Sequence, residues 1–182
     1  MANLTFRTME WVMSVWDIFL RHPKQDLQKV PLEKGMTAVD YACGPGHYTI
    51  PMAEKVGPDG RVYAVDIQPL ATESVQKKAA RKGLKNITTV LVDSYDTGLP
   101  AAVADIVVFL DAFHMVADPE ALLREIHRLL KPQGSLFMDP GHLEAPPVLR
   151  RVERTGLFSL AKLDGKKMLF AASLIPSSYA VG

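Results

Sequence analysis

The sequence has few of the features that mark secreted, membrane-spanning or nucleic-acid-binding proteins. It contains one cysteine, Cys43, which excludes an intramolecular disulfide and a cysteine-rich metal site. We therefore predict no metal site. The 21 basic and 20 acidic residues leave a formal net charge of +1, so no global electrostatic attraction to nucleic acid is expected. No stretch approaches the ~20 continuous apolar residues that a membrane span requires.

The N-terminal segment does not have the pattern of a signal peptide. Its apolar run is interrupted by Glu10 and Asp17, and no small-residue cleavage site follows. The length of 182 residues suits one globular domain with a sizeable core. We expect a single cytoplasmic domain over residues 1–182, divided into an N-terminal helix and connection (1–30), a central core (36–139) and a terminal helix with a hairpin (140–175).

Short apolar runs alternate with amphipathic segments along the central part of the chain. The runs predict five strands, at Met36–Asp40, Arg61–Asp66, Ile87–Val92, Ala104–Leu110 and Ser135–Asp139. Helices are predicted between them, at His47–Val56, at Pro69–Lys82 and after the Asp118-Pro119 start signal. Strands and helices in this alternation imply a parallel sheet with helices on both faces.

The two ends of the chain add to this pattern. Apolar residues at three- and four-residue spacing predict an extra N-terminal helix over Thr5–His22, with Lys24–Gly35 as a connection. Near the C-terminus, a helix over Pro146–Thr155 precedes two β-prone runs, Leu157–Leu163 and Lys166–Ala172, separated by the turn signal Asp164-Gly165. The expected fold is a doubly wound, mostly parallel seven-stranded sheet with a C-terminal antiparallel hairpin.

Four predicted strands end in, or run directly into, an aspartate. These residues are Asp40, Asp66, Asp93 and Asp111. A single aspartate in such a place often only caps the following helix or turn. However, parallel strands end at one edge of the sheet, and ligands bind outside that edge. Four acids at this spacing therefore predict a ligand site.

The turn after the first strand, Asp40–Gly46, contains two glycines that allow a tight reversal and close approach of a ligand. The dinucleotide fingerprint would require glycine at position 49, where Thr49 stands. Asp66 lies 20 residues after Gly46 and suits both hydroxyls of a ribose, and Asp93-Ser94 suits an adenine edge. These residues predict an adenosine-containing ligand without deciding which one.

Five segments, taken in order, resemble the class I (Rossmann-like) S-adenosylmethionine-dependent methyltransferases, of the small standalone type that acts on metabolites. The segments are Val39–Ile50, Val65-Asp66, Val92–Ser94, Ala104–His114 and Ile126–Leu136. No single motif is decisive, whereas the ordered set is specific. The resemblance runs from about Met36 to Asp139.

The resemblance implies S-adenosyl-L-methionine as the cofactor and assigns its contacts. Asp40 would organise the glycine turn near the ammonium group, and the Leu110–Asp111 backbone would close the methionine end. The backbone around Ala42 and Gly44 would contact the methionine part, Asp66 the ribose, and Ile67, Asp93 and Ser94 the adenine. The full set of implied cofactor contacts is Asp40, Tyr41, Ala42, Gly44, Gly46, Asp66, Ile67, Asp93, Ser94, Leu110 and Asp111.

Ala42 departs from the family pattern, which usually has glycine at this position. Alanine adds one methyl group beside the methionine part of the cofactor. We expect the substitution to be tolerated, on the expectation that the backbone there does not require a positive φ.

The candidates for contact with the methyl acceptor are Tyr48, His114, His142 and Trp16. For each of them, packing within the protein is the alternative interpretation. His127 is expected on the surface. The N-terminal helix would either cover the site, pack on the sheet or form a dimer contact.

The function that these expectations favour is methyl transfer to a small-molecule acceptor. A non-catalytic protein that binds a cofactor or a partner is the main alternative, and an NAD-dependent oxidoreductase is the second. A nucleic-acid methyltransferase is not favoured, because Asp111–His114 lacks the Pro-Pro-aromatic motif of amino-methylating enzymes. The expected partner is a small-molecule substrate, without membrane or nucleic acid, and a homodimer is allowed.

Overall fold

The chain builds one seven-stranded sheet with helices on both faces. The computed structural model describes residues 23–174, so the predicted helix Thr5–His22, with Trp16, lies outside the described part. The strands are β1 (Thr37–Tyr41), β2 (Arg61–Asp66), β3 (Ile87–Leu91), β4 (Ala104–Phe109), β5 (Leu130–Met138), β6 (Phe158–Asp164) and β7 (Lys167–Ala172). The helices are α1 (Pro23–Gln28), α2 (Thr49–Val56), α3 (Pro69–Lys82), α4 (Pro119–Leu129) and α5 (Ala145–Arg154), with a 3-10 turn at Phe113–Met115.

The strand order in the sheet is β3-β2-β1-β4-β5-β7-β6. Strands β1 to β5 run parallel, and β7 pairs antiparallel with both β5 and β6. The chain first builds outward from β1 to β3 and then returns to place β4 on the other side of β1. This reversal creates a switch point between β1 and β4, as expected for a doubly wound sheet. The predicted fold class is confirmed.

Alternate residues of the strands face two separate cores. Val39, Val107 and Phe109 pack with α4 and α5 on one face of the sheet. Ala38 and Ile106 belong to the core on the other face, with apolar residues from α1 and α2. Because β4 is buried on both faces, its sequence is almost continuously apolar rather than alternating.

Most boundaries shift by one or two residues from the sequence-based expectation, and three of the differences have a clear physical reason. The segment Lys24–Gly35, which was expected to be a connection, begins inside helix α1 (Pro23–Gln28). Proline is well tolerated at the first position of a helix, so Pro23 can start it. Strand β5 starts at Leu130, directly after α4, because Leu130 pairs with Ala104 before the register shift. In the hairpin, Asp164 pairs with Lys167, so the turn residues are Gly165 and Lys166 rather than Asp164 and Gly165.

Within residues 23–174, we find no helix that is long and apolar enough to cross a membrane.

Replacement of Asp118 by alanine is expected to lower the free energy of unfolding by about 1 kcal/mol. The Asp118 carboxylate accepts hydrogen bonds from the N–H groups of Glu120 (3.1 Å) and Ala121 (3.0 Å) at the start of α4. Denaturant unfolding measures the change. Glu153→Ala, at an exposed position of α5, serves as the control, and an equal effect of both substitutions would contradict the capping role.

Candidate functional site

The predicted acidic residues gather at the carboxyl edge of the parallel strands. Asp40 is the fourth residue of β1 and Asp66 is the last residue of β2, and both are buried. Asp93 and Asp111 follow β3 and β4 by two residues. All four therefore lie at the edge where the switch point opens, as the sequence predicted.

The Asp66 carboxylate joins the end of β2 to the glycine turn. Its Oδ2 accepts the N–H of Gly44 at 2.8 Å, and its Oδ1 accepts the N–H of Gln68 at 2.8 Å. Burial raises the pKa of Asp66 above its usual value, against the opposing effect of these N–H donors. A carboxylate has about four acceptor sites. The N–H of Ile67 also acts on this carboxylate, and capacity remains for a further hydrogen bond, such as one from a ribose hydroxyl.

Asp40 forms a second buried contact under the same turn. The Thr49 hydroxyl donates to its Oδ2 at 2.5 Å. Burial raises the pKa of Asp40 to about 7, although the Thr49 hydrogen bond acts in the opposite direction. Thr49, which departs from the dinucleotide pattern, is thus the residue at the start of α2 that holds Asp40.

The turn itself is packed closely against α3. A Cβ atom on Gly46 would lie 2.9 Å from Cγ2 of Val75, and the φ of Gly46 is +88°. Glycine is therefore required here both by conformation and by space. Cys43, three residues before Gly46, is buried, and burial raises the pKa of its thiol. This environment is that of an unreactive structural cysteine.

Ala42 corrects one expectation. Its φ is +61°, in the left-handed region, whereas the sequence analysis assumed that a positive φ is not needed there. A side chain with a Cβ atom is strained in this conformation by about 1–2 kcal/mol. The glycine usual at this position in the family pattern therefore has a conformational reason, and this chain carries the strain instead.

An open cleft of about 640 Å³ lies beside Asp66 at the ends of β2 and β3. Two of its lining side chains are apolar yet exposed, Ile67 by 63% and Leu91 by 54%. The complete lining is Ile67, Leu91, Val92, Asp93, Ser94, Asp96, Thr97 and Gly98. Apolar surfaces with polar groups beside them suit a planar heterocycle, so the cleft fits the predicted adenine position.

Glu125, which the sequence analysis did not identify, holds the loop that lines this cleft. Its Oε1 accepts the hydroxyl (2.6 Å) and the N–H (3.0 Å) of Thr97, and Arg128 binds both carboxylate oxygens at 2.7 Å. Burial by itself would raise the pKa of Glu125, but these donors hold it below its usual value. In sequence, Glu125 is an ordinary helix residue, so no signal marks this contact.

Tyr41 also supports the loop and does not line the site with its side chain. Its ring is buried edge-on against Phe109, and its hydroxyl donates to the carbonyl oxygen of Tyr95 at 2.8 Å. Leu110 likewise directs its side chain into a core. For these two predicted residues, only the backbone is placed to meet a ligand.

Asp139 is a fifth acid at the edge, directly after β5. Its Oδ1 accepts the N–H groups of Asp111 and Gly141, both at 2.9 Å, and its Oδ2 pairs with Lys167 at 2.7 Å. Burial by itself would raise the pKa of Asp139, but the Lys167 ammonium and the N–H donors hold it below its usual value. Asp139 therefore fixes the loops after β4 and β5 together. The predicted strand ended at this residue, yet its acid was not among the site candidates.

The acceptor candidates separate into three groups. His114 and His142 lie together, with ring centroids 4.4 Å apart. Tyr48 directs its hydroxyl to Asp26 of α1 at 3.2 Å and packs against a core, as the packing alternative expected. Trp16 lies outside the described residues.

His127 is half-buried rather than on the surface, which corrects the expectation. Its Nε2 lies 2.8 Å from the carbonyl oxygen of Ser173, and its ring packs edge-on against Phe158. The terminal hairpin covers this part of α4, which a helical pattern by itself does not reveal.

Comparison with known proteins identifies the same domain over most of the chain. A family model described as "Methyltransferase domain" matches residues 32–156. The demethylmenaquinone methyltransferase of Geobacillus stearothermophilus is 30% identical over 115 residues, which cover 63% of this chain and 49% of that protein. The aklanonic acid methyltransferase of Streptomyces sp. (strain C5) is 35% identical over 88 residues, covering 48% of this chain and 39% of that protein.

This chain spans about half the length of the demethylmenaquinone methyltransferases that it matches. Among solved structures, a SAM-dependent methyltransferase from Aquifex aeolicus superposes with a TM-score of 0.80 at 23% identity. The superposition covers 87% of this chain and 93% of that protein. At this identity, the likeness shows that the two proteins share a fold.

Ala42→Gly is expected to raise the free energy of unfolding by about 1 kcal/mol, because glycine removes the strain of the positive φ. Ala101→Gly is the matched control, since Ala101 is exposed and is not among the positive-φ residues of the described chain. Denaturant unfolding of both variants provides the measurement. If Ala42→Gly destabilises the protein as much as Ala101→Gly does, the strained conformation is refuted.

Asp40→Asn is expected to change how stability depends on pH. The unfolded carboxyl titrates near 3.8 and the folded one near 7, so the folded state binds more protons between these values. The free energy of unfolding of the wild type therefore falls by up to roughly 4 kcal/mol, relative to that of the variant, as pH rises through this window. Unfolding experiments across the window measure the difference between the two proteins, and a constant difference would contradict the raised pKa.

Proposed function

The chain belongs to the methyltransferase domain family, and on this premise we propose that it is an S-adenosyl-L-methionine-dependent enzyme that transfers a methyl group to a small-molecule acceptor. The named relatives act, by their names, on demethylmenaquinone and aklanonic acid, which are small molecules. Their names support this acceptor class for the present chain.

The observation that carries the proposal is the placement of Asp66. Its carboxylate holds the glycine turn through Gly44 and stands beside an open cleft that is lined by both apolar and polar residues. One group thereby connects the turn that would hold the methionine part with the cleft that would hold the adenine. The acceptor capacity left on this carboxylate suits hydrogen bonds from a ribose.

The remaining residues would contact the adenine end and the methionine end of the cofactor. Ile67 would pack against the adenine, with Asp93 and Ser94 at its edge. The backbone of Ala42 and Gly44 would contact the methionine part. Gly44 supports this role, because a Cβ atom built there meets nothing within 4 Å and the turn is open on that side. The N–H of Asp111 donates to Asp139, so Asp111 would contact the cofactor through its other groups.

The bound cofactor would supply a methyl group already activated by a positively charged sulfur. The task of this chain is then to hold the acceptor in line with that methyl group and to exclude competing water. Proximity and orientation can contribute about 7–11 kcal/mol to such a reaction. A general base is required only where the accepting atom carries a proton at neutral pH.

The structure weighs against a dinucleotide-dependent oxidoreductase. The position that the dinucleotide fingerprint gives to glycine is occupied by buried Thr49, whose hydroxyl is bound to Asp40. A non-catalytic protein that keeps the cofactor site is the second candidate, and the strained Ala42 in the turn is the observation that favours it. Turnover of S-adenosyl-L-methionine with a panel of metabolites distinguishes it from the enzyme.

Three further expectations remain predictions. They are a cytoplasmic location, a homodimer, and the division of the chain at 1–30, 36–139 and 140–175. Nucleic acid is not proposed as a partner, because the net charge is only +1.

Asp66→Ala is expected to weaken the binding of S-adenosyl-L-methionine by roughly 10- to 100-fold, since it removes hydrogen bonds to a charged acceptor. Isothermal titration calorimetry measures the dissociation constant. Asp59→Ala is the matched control, because Asp59 is an exposed aspartate in the turn before β2, at the opposite end of that strand.

Asp66→Asn tests the charge separately, because its amide oxygen still accepts the N–H of Gly44. Circular dichroism confirms that each variant is folded. Unchanged affinity in folded Asp66→Ala would contradict the proposed site. Binding of NAD(H) by the wild type in place of S-adenosyl-L-methionine would contradict the proposed function.

A further inference from the structure

Two histidines from different loops meet at the carboxyl edge of the sheet. His114 lies in the 3-10 turn after β4, and His142 lies in the turn after β5. Their ring centroids are 4.4 Å apart, with the planes at 63°. β4 pairs with β1 on one side and with β5 on the other. The histidine pair, which follows β4 and β5, therefore lies one strand away from the switch point, where the methionine end of the cofactor would lie.

The chain holds the histidine pair together with dedicated contacts. Asp139 accepts the N–H groups of both Asp111 and Gly141, which fixes the two loops to one carboxylate. A Cβ atom on Gly141 would lie within 2.3 Å of Nδ1 of His114. Only glycine therefore permits this approach, so the position of His114 against the second loop is specific.

The His114 ring differs from a structural histidine of the same chain. Nε2 of His127 lies 2.8 Å from a carbonyl oxygen. Because a carbonyl oxygen can only accept a hydrogen bond, Nε2 is the nitrogen of His127 that carries the hydrogen. In contrast, Nδ1 of His114 is buried and has no hydrogen-bond partner among the described residues. A buried polar atom without a partner costs about 1–3 kcal/mol. Gly141 closes off Nδ1, and no hydrogen bond to Nε2 is found among the described residues, so Nε2 is the nitrogen of His114 that remains to meet a ligand.

An exposed apolar residue follows each histidine in the chain. Met115 is 70% exposed and Leu143 is 44% exposed, and each follows one histidine in the chain. Exposed apolar residues on loops that also carry polar groups, at a ligand-binding edge, are typical of a site for an apolar small molecule. The combination suits a ring that carries a hydroxyl group.

We propose that the histidine pair binds the methyl acceptor, that this acceptor is a hydroxylated aromatic small molecule, and that His114 accepts the hydroxyl proton. This inference rests on the proposed function. The acceptor oxygen forms a new bond to the methyl carbon while the bond between that carbon and sulfur breaks, and the electron pair of the broken bond stays on sulfur. The hydroxyl proton passes to Nε2 of His114, since Nδ1 is buried against Gly141, and the resulting imidazolium later releases the proton to water. The positive charge thus moves from sulfur to the imidazole.

The first test follows the imidazole carbon resonances of the wild-type protein by nuclear magnetic resonance. Titration with 1-naphthol is expected to shift the resonances of His114 and His142 and to leave those of His127 unchanged. 1-Methoxynaphthalene, which has the same ring without the hydroxyl proton, is expected to cause smaller shifts. Unmoved resonances of the histidine pair, or equal shifts with both compounds, would overturn the inference.

The second test separates a catalytic base from a structural role. In His114→Gln, methylation of 1-naphthol is expected to fall by ~10²-fold or more, the usual contribution of a general base. Methylation of 4-nitro-1-naphthol is expected to fall far less, because this compound already ionises near neutral pH. His127→Gln is the control and is expected to affect both compounds equally. Equal losses for both compounds in His114→Gln, or no methylation of 1-naphthol by the wild type, would contradict the assignment.

Calorimetry on the same proteins distinguishes this inference from the proposed function. S-adenosyl-L-methionine is expected to bind wild type and His114→Gln with equal affinity. Failure of the wild type to bind it would refute the proposed function. Normal binding, together with unmoved histidine resonances in 1-naphthol, would refute only the acceptor site.

Discussion

The hydrogen bond from the Gly44 N–H to Oδ2 of Asp66 joins the turn after β1 to the end of β2. This hydrogen bond brings a buried carboxylate under the glycine turn, next to a cleft lined by both apolar and polar residues. The same carboxylate receives the N–H of Gln68, so the loops after β1 and β2 share one anchor. The cofactor site proposed for this chain depends on that shared anchor, because it sets the spacing between the two ends of the ligand.

A second carboxylate performs the corresponding task on the other side of the switch point. Asp139 binds the loops after β4 and β5, and Lys167 from the terminal hairpin neutralises it. Lys167 also pairs with Asp26 of α1 at 3.3 Å, which connects the N-terminal part of the described chain to the same edge. The antiparallel hairpin therefore contributes to the site through one lysine as well as extending the sheet.

The two anchors divide the edge into regions of different chemistry. Around Asp66 the groups suit a nucleoside, with a carboxylate, apolar walls and polar side chains at the rim. Around Asp139 the loops present two imidazoles with exposed apolar neighbours. Asp40 is on β1, which lies between β2 and β4 in the sheet. Burial raises its pKa to about 7, so Asp40 adds less negative charge at neutral pH than an exposed aspartate would. The strain at Ala42 lies in the turn beside it, where a ligand in the proposed site would make its closest backbone contacts.

The sequence by itself determined the elements that local patterns encode. Apolar runs located β1 to β5, the Asp118-Pro119 pair marked the start of α4, and the acids at the strand ends marked the edge that carries the site. These signals are readable because strand burial, helix capping and the carboxyl edge each act within a few residues of the chain. Only the tertiary structure decided which groups meet across elements. Glu125 and Asp139 hold loops that are 28 residues away in sequence, and the terminal hairpin half-buries His127. It also gave Ala42 its positive φ and placed His114 against Gly141, because such contacts depend on how distant loops close on one another and leave no periodic trace in the sequence.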